Sequence, residues 1–215
     1  MSSVKLIWTT SDGEKLITYM ARVSSDYQDN PDIEKLIKYC IKNCHWSIFE
    51  MANMCVEVKA PLYVIQQILR HKSFSFQQFS MRYNKYSKIS TELNIPEFRQ
   101  KNINGNRQSS YEEHEKNLEY QERTRKMYDE IYLFFDDMIN NNVSYETASR
   151  ILPTTTMSKI YINGNIRSWI HYLQVRTEKH TQYEHLEIAE MIKEQIFKQH
   201  YPMIYNAIFN KDIII

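Results

Sequence analysis

The chain has 215 residues, of which 42% are hydrophobic and 25% are charged. This balance is typical of a folded globular protein and excludes a disordered chain, a collagen or a low-complexity linker. Its 27 basic and 26 acidic residues leave a net charge of +1, whereas general nucleic-acid or membrane-surface binders usually carry a larger basic excess. No apolar run is long enough for a membrane-spanning helix, and the N-terminus has no secretory signal pattern. We therefore expect a cytoplasmic protein with neither a nucleic acid nor a membrane as its partner.

The hydrophobic pattern predicts a mixture of strands and helices. In chain order these are a strand over residues 5–10, helices over 13–23 and 31–46, a strand over 49–60, helices over 61–71, 111–140 and 145–152, a strand over 154–162, and helices from 165 and over 184–208. Ser11 and Asp12 are candidates to cap the first helix, and Pro202 is expected to kink or break the last. The polar segment 97–112 is expected to be an exposed excursion. Without repeats or a second composition regime, these elements predict one α/β domain over residues 1–215.

The small number of cysteines and glycines limits the chemistry. Cys40, Cys44 and Cys55 have no metal-ligand or redox spacing, so we expect buried, reduced thiols. The histidines and acidic residues near the C-terminus do not follow H-E-x-x-H, and no metal site is predicted. Only three glycines occur, in neither a G-x-G-x-x-G nor a Walker pattern. If the protein binds nucleotides, side chains must therefore hold the phosphates.

Residues 67–83, QILRHKSFSFQQFSMRY, form the densest group of polar and cationic side chains. On the preceding helix an apolar face is predicted to meet the core, through Leu62, Ile65, Ile68 and Leu69. Gln67, Arg70 and His71 share another face, for which a solvated helix end is the simpler interpretation. Farther on, polar residues alternate with aromatic ones, namely Ser75, Gln77, Gln78, Ser80 and Arg82. Donors and cations between apolar walls suit a phosphate attached to a planar base.

This stretch resembles the signature of the flavin-dependent thymidylate synthases, R-H-R-x-x-S-x-N-E-x-S-x-R-Y. Six positions match, namely Arg70, His71, Ser75, Ser80, Arg82 and Tyr83. Further segments resemble other motifs of the family: A-R-V-S at 21–24, H-W-S-I-F-E at 45–50, L-P at 152–153, N-I-R-S-W at 165–169, L-Q-V-R at 173–176 and H-T-Q at 180–182. The likeness covers roughly residues 4–210.

The resemblance implies a fold, an assembly and a reaction. The fold would be a single α/β domain with a mostly antiparallel sheet flanked by long helices. Four copies would form a homotetramer with active sites at subunit interfaces. The reaction would methylate dUMP at C5 to give dTMP, with FAD as cofactor, NADPH and methylenetetrahydrofolate as co-substrates, and no cysteine nucleophile.

The resemblance also assigns residues. The flavin-binding residues would be Ser24, His45, Ser47, Glu50, Arg70, His71, Lys72, Gln77, Asn165, Arg167, His171 and His180. The dUMP-binding residues would be Gln67, Gln78, Phe79, Ser80, Met81, Arg82, Arg150 and Arg176. The catalytic residues would be Arg176, Ser80 and His45, with no metal. These sets suit two phosphate-bearing ligands, because Arg and Lys side chains must neutralise the phosphates when no glycine-rich loop is present.

Departures from the family pattern keep two alternatives open. Lys72 retains a charge but cannot form the bidentate contact of arginine, Gln77 replaces Asn, and Gln78 replaces a carboxylate. Arg150 lies one residue later than the family's pattern places its arginine. Gln78 leaves open a related flavoenzyme that modifies another pyrimidine deoxynucleotide at C5. The other alternative is a nucleotide- or RNA-binding module without catalysis.

Overall fold

A four-stranded antiparallel sheet is central to the computed structural model, which describes residues 1–102 and 110–210. Its strands, in the spatial order β1-β2-β6-β3, are β1 (Ser3–Thr9), β2 (Asn53–Pro61), β6 (Met157–Asn165) and β3 (Ser75–Gln78). The long central pair runs in register, with Val56 opposite Ile162 and Val58 opposite Ile160. Side chains alternate between the two faces of a strand, so one face of this pair supplies a continuous buried surface. The predicted antiparallel α/β architecture is confirmed.

Helices surround the sheet, and their bounds are α1 Gly13–Ala21, α2 Ile33–Lys42, α3 Leu62–Ile68, α4 Asn117–Asn140, α5 Tyr145–Ala148, α6 Ile166–Arg176, α7 Tyr183–Met191, α8 Lys198–His200 and α9 Pro202–Phe209. Short 3-10 segments occupy Trp46–Glu50, Tyr86–Lys88 and Ser149–Ile151, and a π-helical segment, Ile192–Phe197, joins α7 to α8. The predicted break at Pro202 is confirmed, because this residue starts α9. Within the described residues, no helix has both the length and the apolar character needed to cross a bilayer.

The helix α6 is anchored in the core by an apolar stripe along one of its faces. Ile166, Trp169, Ile170 and Leu173 are all buried. The Trp169 indole N–H donates to the Met54 carbonyl of β2 over 2.9 Å. Since this hydrogen bond and the stripe bind one face of α6 to the sheet, the remaining face carries its polar side chains at a fixed position.

Several predicted element ends were wrong for local backbone reasons. Asp12 precedes α1 in a left-handed conformation (φ 49°), and its side chain does not cap the helix. The second helix ends at Lys42 rather than at residue 46, since Cys44 has a left-handed φ of 56°. Cys44 is also exposed, unlike the other two cysteines, so the prediction of three buried thiols was wrong for this residue. The helix α3 ends at Ile68 instead of residue 71, because the N–H groups of Arg70 and His71 donate to carbonyls three residues back, as in a turn.

The segment 97–112 also departs from the prediction of an exposed excursion. It contains two short antiparallel strands, β4 (Arg99–Lys101) and β5 (Ser110–Glu113), while residues 103–109 lie outside the described residues. The Arg99 side chain is only 9% exposed, because it forms an ion pair with Glu184 of α7. The long helix α4 consequently begins at residue 117 rather than at 111.

Candidate active site

Both ends of α6 carry predicted site residues, and each end lines a cavity. The cavity at the N-terminal end has a volume of about 670 Å³ and is lined by Trp46, Glu50, Ser73, Asn165, Arg167, Ser168, Ile170, His171 and Gln174. The cavity at the C-terminal end has a volume of about 400 Å³ and is lined by Gln67, Arg70, Val175, Arg176, Glu178, His180, Thr181 and Gln182. An α-helix rises about 1.5 Å per residue, which separates Arg167 from Arg176 by roughly 14 Å along the axis. We refer to these as the N-terminal and the C-terminal cavity.

In the N-terminal cavity, the first two turns of α6 present one cation and one imidazole. Asn165 caps the helix, since its side-chain oxygen accepts the backbone N–H of Ser168 over 2.9 Å. Arg167 Nη1 donates to Glu50 Oε1 over 2.5 Å, and both side chains remain about half exposed. His171 lies one turn after Arg167 on the same face. Four residues that the family resemblance assigned to the flavin are therefore together here.

In the C-terminal cavity, Arg176 is oriented by a neutral histidine. Arg176 Nε donates to His71 Nε2 over 2.8 Å, so this ring nitrogen must be unprotonated and the ring proton is on Nδ1. Burial, followed by the charge of Arg176, lowers the pKa of His71 to about 4. The imidazole thus stays neutral at physiological pH and leaves the terminal nitrogens of Arg176 available to a ligand.

The wall of the C-terminal cavity is mainly cationic and amide in character. Arg70, Arg176 and His180 face it together with Gln67, and Glu178 is the one acidic residue among the described lining residues. Two guanidinium groups at one opening are suited to a phosphate or to another planar anion. The sequence placed Gln67, Arg70 and His71 on one helix face; α3 ends at Ile68, and the structure brings Gln67 and Arg70 to this cavity.

Two buried residues behind the C-terminal cavity, His185 and Tyr172, were missed by the sequence analysis. His185 is completely buried; its Nδ1 lies 3.1 Å from Gln67 Oε1, and its Nε2 lies 3.0 Å from the Tyr172 hydroxyl. Burial, then the charge of Arg176, lowers the pKa of His185 to about 3. Helical spacing could have revealed the burial of His185, because this residue precedes the buried Ile188 and Ala189 by three and four residues.

The signature segment continues through β3 to a turn beside α5. Gln77 pairs with Tyr161 and Gln78 with Ile160, so these two amides project from opposite faces of the sheet. In the following turn, Arg82 forms an ion pair with Glu146 over 3.0 Å. The proposed flavin and dUMP contacts of this segment therefore diverge within one subunit.

Other predicted site residues do not line either cavity in the described part of the chain. Ser24, in the turn after α1, is exposed, as are His45 and Ser47 near the 3-10 segment at 46–50. Arg150 is exposed in the 3-10 segment after α5. The remaining ones, which lie between α3 and the turn after β3, are Lys72, Phe79, Ser80 and Met81. A single subunit therefore presents the predicted residues as separate groups.

Comparisons with known proteins agree on one family. The family model described as "Thymidylate synthase complementing protein" matches residues 5–203. A flavin-dependent thymidylate synthase of Synechocystis is 38% identical over 197 residues, covering 91% of this chain and 89% of the relative. A probable flavin-dependent thymidylate synthase of Paramecium bursaria Chlorella virus 1 is 36% identical, with 96% and 98% of the two chains covered.

The fold agrees with a solved structure. The UMP/dUMP methylase PolB from Streptomyces cacaoi, bound with 5-Br dUMP, superposes with a TM-score of 0.80 and 22% identity over 96% of this chain and 94% of that one. At this identity the comparison concerns the fold. The family model and the two more similar relatives confirm the resemblance that residues 70–83 suggested. The chain belongs to the flavin-dependent thymidylate synthase family.

Proposed function

We propose that the chain catalyses the reductive methylation of dUMP at C5 to dTMP, as an FAD-dependent methyltransferase. Methylenetetrahydrofolate provides the carbon and NADPH the reducing equivalents. The observation that carries this proposal is the C-terminal cavity, where Gln67 and Arg176 of the dUMP-binding set meet Arg70 of the flavin-binding set, and a neutral His71 holds the guanidinium of Arg176. This set offers cations for a phosphate or an electron-rich ring and an amide for hydrogen bonding, as a pyrimidine nucleotide requires.

The residues of the N-terminal cavity fit a flavin. Arg167 and His171 offer a cation and an imidazole to a diphosphate, Asn165 offers an amide, and Trp46 and Ile170 form an apolar wall for a planar ring. Bound FAD supplies hydride chemistry that no amino-acid side chain provides. Ser24, His45, Ser47, Glu50, Arg70, His71, Lys72, Gln77 and His180 complete the flavin-binding set that we propose.

Arg176 is the residue that we place beside the uracil ring. C5 can attack the methylene carbon only from an electron-rich ring, and a fixed cation beside the ring stabilises the negative charge of that form by roughly 3 kcal/mol. The hydrogen bond from Nε to His71 fixes the guanidinium before the substrate arrives. Ser80 and His45 complete the proposed catalytic set, and Gln78, Phe79, Met81, Arg82 and Arg150 complete the dUMP-binding set.

The placement of the cysteines supports a reaction without a cysteine nucleophile. Cys40 and Cys55 are buried, and burial raises the pKa of both thiols. Cys44 is exposed in the turn after α2. Among the described residues that line the two cavities, none is a cysteine. A thiolate nucleophile needs a lowered pKa at the site, so these cysteines are unsuited to that role.

The proposed assembly is a homotetramer whose active sites lie at subunit interfaces. The roughly 14 Å between the ends of α6, and the exposed positions of His45 and Ser47, support sites completed by a neighbouring subunit. On α4, Leu118, Leu133 and Phe134 are 57–76% exposed, which is typical of a surface buried in an assembly. Native mass spectrometry tests this proposal, and four times the chain mass of 26.0 kDa is the expected result.

We further propose that residues 1–215 act as one catalytic domain in the cytoplasm, with no nucleic-acid or membrane partner. The net charge of +1 and the three unpaired cysteines support this placement. RNA binding would instead show an affinity that falls steeply with salt concentration, so a salt titration with single-stranded RNA separates the two.

The first test is the visible spectrum of the purified protein, reconstituted with FAD. We expect a flavin band that anaerobic NADPH bleaches, a spectral response to dUMP, and dTMP formation when methylenetetrahydrofolate is added. A protein that remains colourless after incubation with FAD would contradict the proposal. Parallel assays with UMP and dCMP distinguish dUMP methylation from modification of another pyrimidine nucleotide.

The second test is the pair of variants Arg176→Ala and Arg123→Ala. Arg123 is exposed on α4, where it pairs only with Glu119 of its own helix among the described ion pairs, so this variant controls for the loss of one positive charge. We expect Arg176→Ala to abolish dUMP-dependent turnover and Arg123→Ala to retain it. Unchanged turnover in Arg176→Ala would refute the assignment of the site.

A further inference from the structure

A chain of side-chain hydrogen bonds runs from α7 to the core beneath the C-terminal cavity. Gln182 Nε2 lies 3.0 Å from Glu184 Oε2, and Gln67 Nε2 lies 2.5 Å from Gln182 Oε1. On the other side of Gln67, its Oε1 forms a hydrogen bond with His185 Nδ1. His185 Nε2 in turn forms a hydrogen bond with the Tyr172 hydroxyl. Five side chains from three helices and one loop thus form one continuous series.

The ion pair at one end gives this series a single direction. The Glu184 carboxylate, which also accepts from Arg99, can only accept hydrogen bonds. Gln182 must therefore turn its amide nitrogen to Glu184 and its oxygen to Gln67. Gln67 in turn directs its nitrogen to Gln182 and its oxygen to His185.

The same logic determines the proton position on His185. Its Nδ1 must carry the proton, because it faces the Gln67 oxygen, which only accepts. Its Nε2 is then an acceptor for the Tyr172 hydroxyl, so both ring nitrogens have a partner. The two hydrogen bonds and complete burial hold His185 in one tautomer.

With its oxygen and one N–H already engaged, Gln67 has a single amide N–H left for the cavity. We propose that His185 is a positioning residue that holds Gln67 as a hydrogen-bond donor to an acceptor oxygen of the bound nucleotide. This inference rests on the proposed function, since it concerns the same dUMP site. Without the N–H of His185, only the hydrogen bond to Gln182 orients the Gln67 amide, so its plane can tilt and its free N–H no longer points at the acceptor oxygen of the ligand.

The variants His185→Leu and His185→Asn test this role as a matched pair. Leucine removes both ring nitrogens, whereas the asparagine amide can restore an N–H near the position of Nδ1. We expect His185→Leu to raise the Kd and the KM for dUMP about 10-fold, the size of one lost hydrogen bond, while His185→Asn stays within about 3-fold of the wild type. The flavin content and the KM for NADPH should change less than the Kd for dUMP, because the hydrogen-bond partners of His185 are Gln67 and Tyr172, neither of which belongs to the proposed flavin-binding set.

A double-mutant cycle with Gln67→Ala separates positioning from a general loss of structure. Once Gln67 is absent, His185→Leu has nothing left to position, and the second substitution should not weaken dUMP binding further. Additive losses in the double variant, or wild-type affinity in His185→Leu, would overturn the inference. If the wild-type protein itself did not bind dUMP, the proposed function would fail instead.

Deoxyuridine identifies the oxygen that Gln67 contacts. If His185→Leu weakens the binding of deoxyuridine as much as that of dUMP, the acceptor is a carbonyl of the base. If only dUMP binding is weakened, the acceptor belongs to the phosphate. Both results support the positioning role, and unchanged binding of both ligands contradicts it.

Discussion

The buried imidazole of His185 should make the stability of the protein depend on pH in a defined window. Its pKa is about 3 in the folded protein, against an ordinary value of 6.5. Between these values the unfolded chain binds a proton that the folded protein does not bind. The free energy of unfolding therefore rises with pH across this window. The contribution of His185 to it is lost progressively as the pH falls below about 6.5.

The magnitude follows from the width of the window. Each pKa unit corresponds to about 1.4 kcal/mol. Lowering the pH from 6.5 to 4 should therefore reduce the free energy of unfolding by about 3 kcal/mol through His185 alone. His71, whose pKa burial also lowers, contributes to the acid sensitivity of the wild type in the same direction. Both proteins contain His71, so the comparison with His185→Leu cancels most of its contribution and isolates that of His185.

The assay is urea unfolding of both proteins at pH 7, 6, 5 and 4, followed by tryptophan fluorescence at one protein concentration, since assembly shifts apparent stability. At pH 7 the variant should be the less stable protein, because the Tyr172 hydroxyl loses its partner at a cost of about 1–3 kcal/mol. Toward pH 4 the difference should move in favour of the variant by about 3 kcal/mol. Parallel stability curves for the two proteins would refute the assignment of His185 as a buried neutral imidazole.

Three further predictions concern other parts of the fold. Gly164→Ala should destabilise the protein by about 1–3 kcal/mol in urea unfolding, because a methyl group there would overlap the Phe74 ring. Asn165→Ala should lower the free energy of unfolding by about 0.5–2 kcal/mol, because it removes the side-chain oxygen that accepts the Ser168 N–H. Asn165→Asp keeps an acceptor and should lower it less; equal losses in the two variants would contradict the capping role. A thiol reagent should rapidly modify only Cys44 in the folded protein and all three cysteines in urea, as mass spectrometry can count.

The sequence predicted those features that depend on local pattern. Helical spacing identified the buried Ile65 and Ile68 of α3, and the residue type alone identified the helix break at Pro202. Errors occurred where a single residue adopts an unusual backbone conformation, as Asp12 and Cys44 do with positive φ. Such conformations are uncommon outside glycine, and hydrophobic periodicity carries no information about them.

The candidate site was predictable as a set of residues but only partly as a geometry. The family resemblance assigned both Gln67 and Arg176 to dUMP, and both line the C-terminal cavity. The burial of Arg99 could not be anticipated, because its partner, Glu184, lies 85 residues away in sequence. The same applies to the contact of His185 with Gln67, over a separation of 118 residues. Hydrogen bonds between distant segments depend on tertiary packing, which a local window does not contain.

The attachment of α6 to the sheet determines how its two cavities can influence each other. Sliding or rotating this helix would expose Trp169 and break its hydrogen bond to Met54. The helix α6 therefore keeps its two ends at a fixed distance and orientation. A ligand in one cavity of a subunit cannot change the other by displacing this helix. Any cooperativity between two ligands must therefore arise from direct contact between them or from the way neighbouring subunits meet.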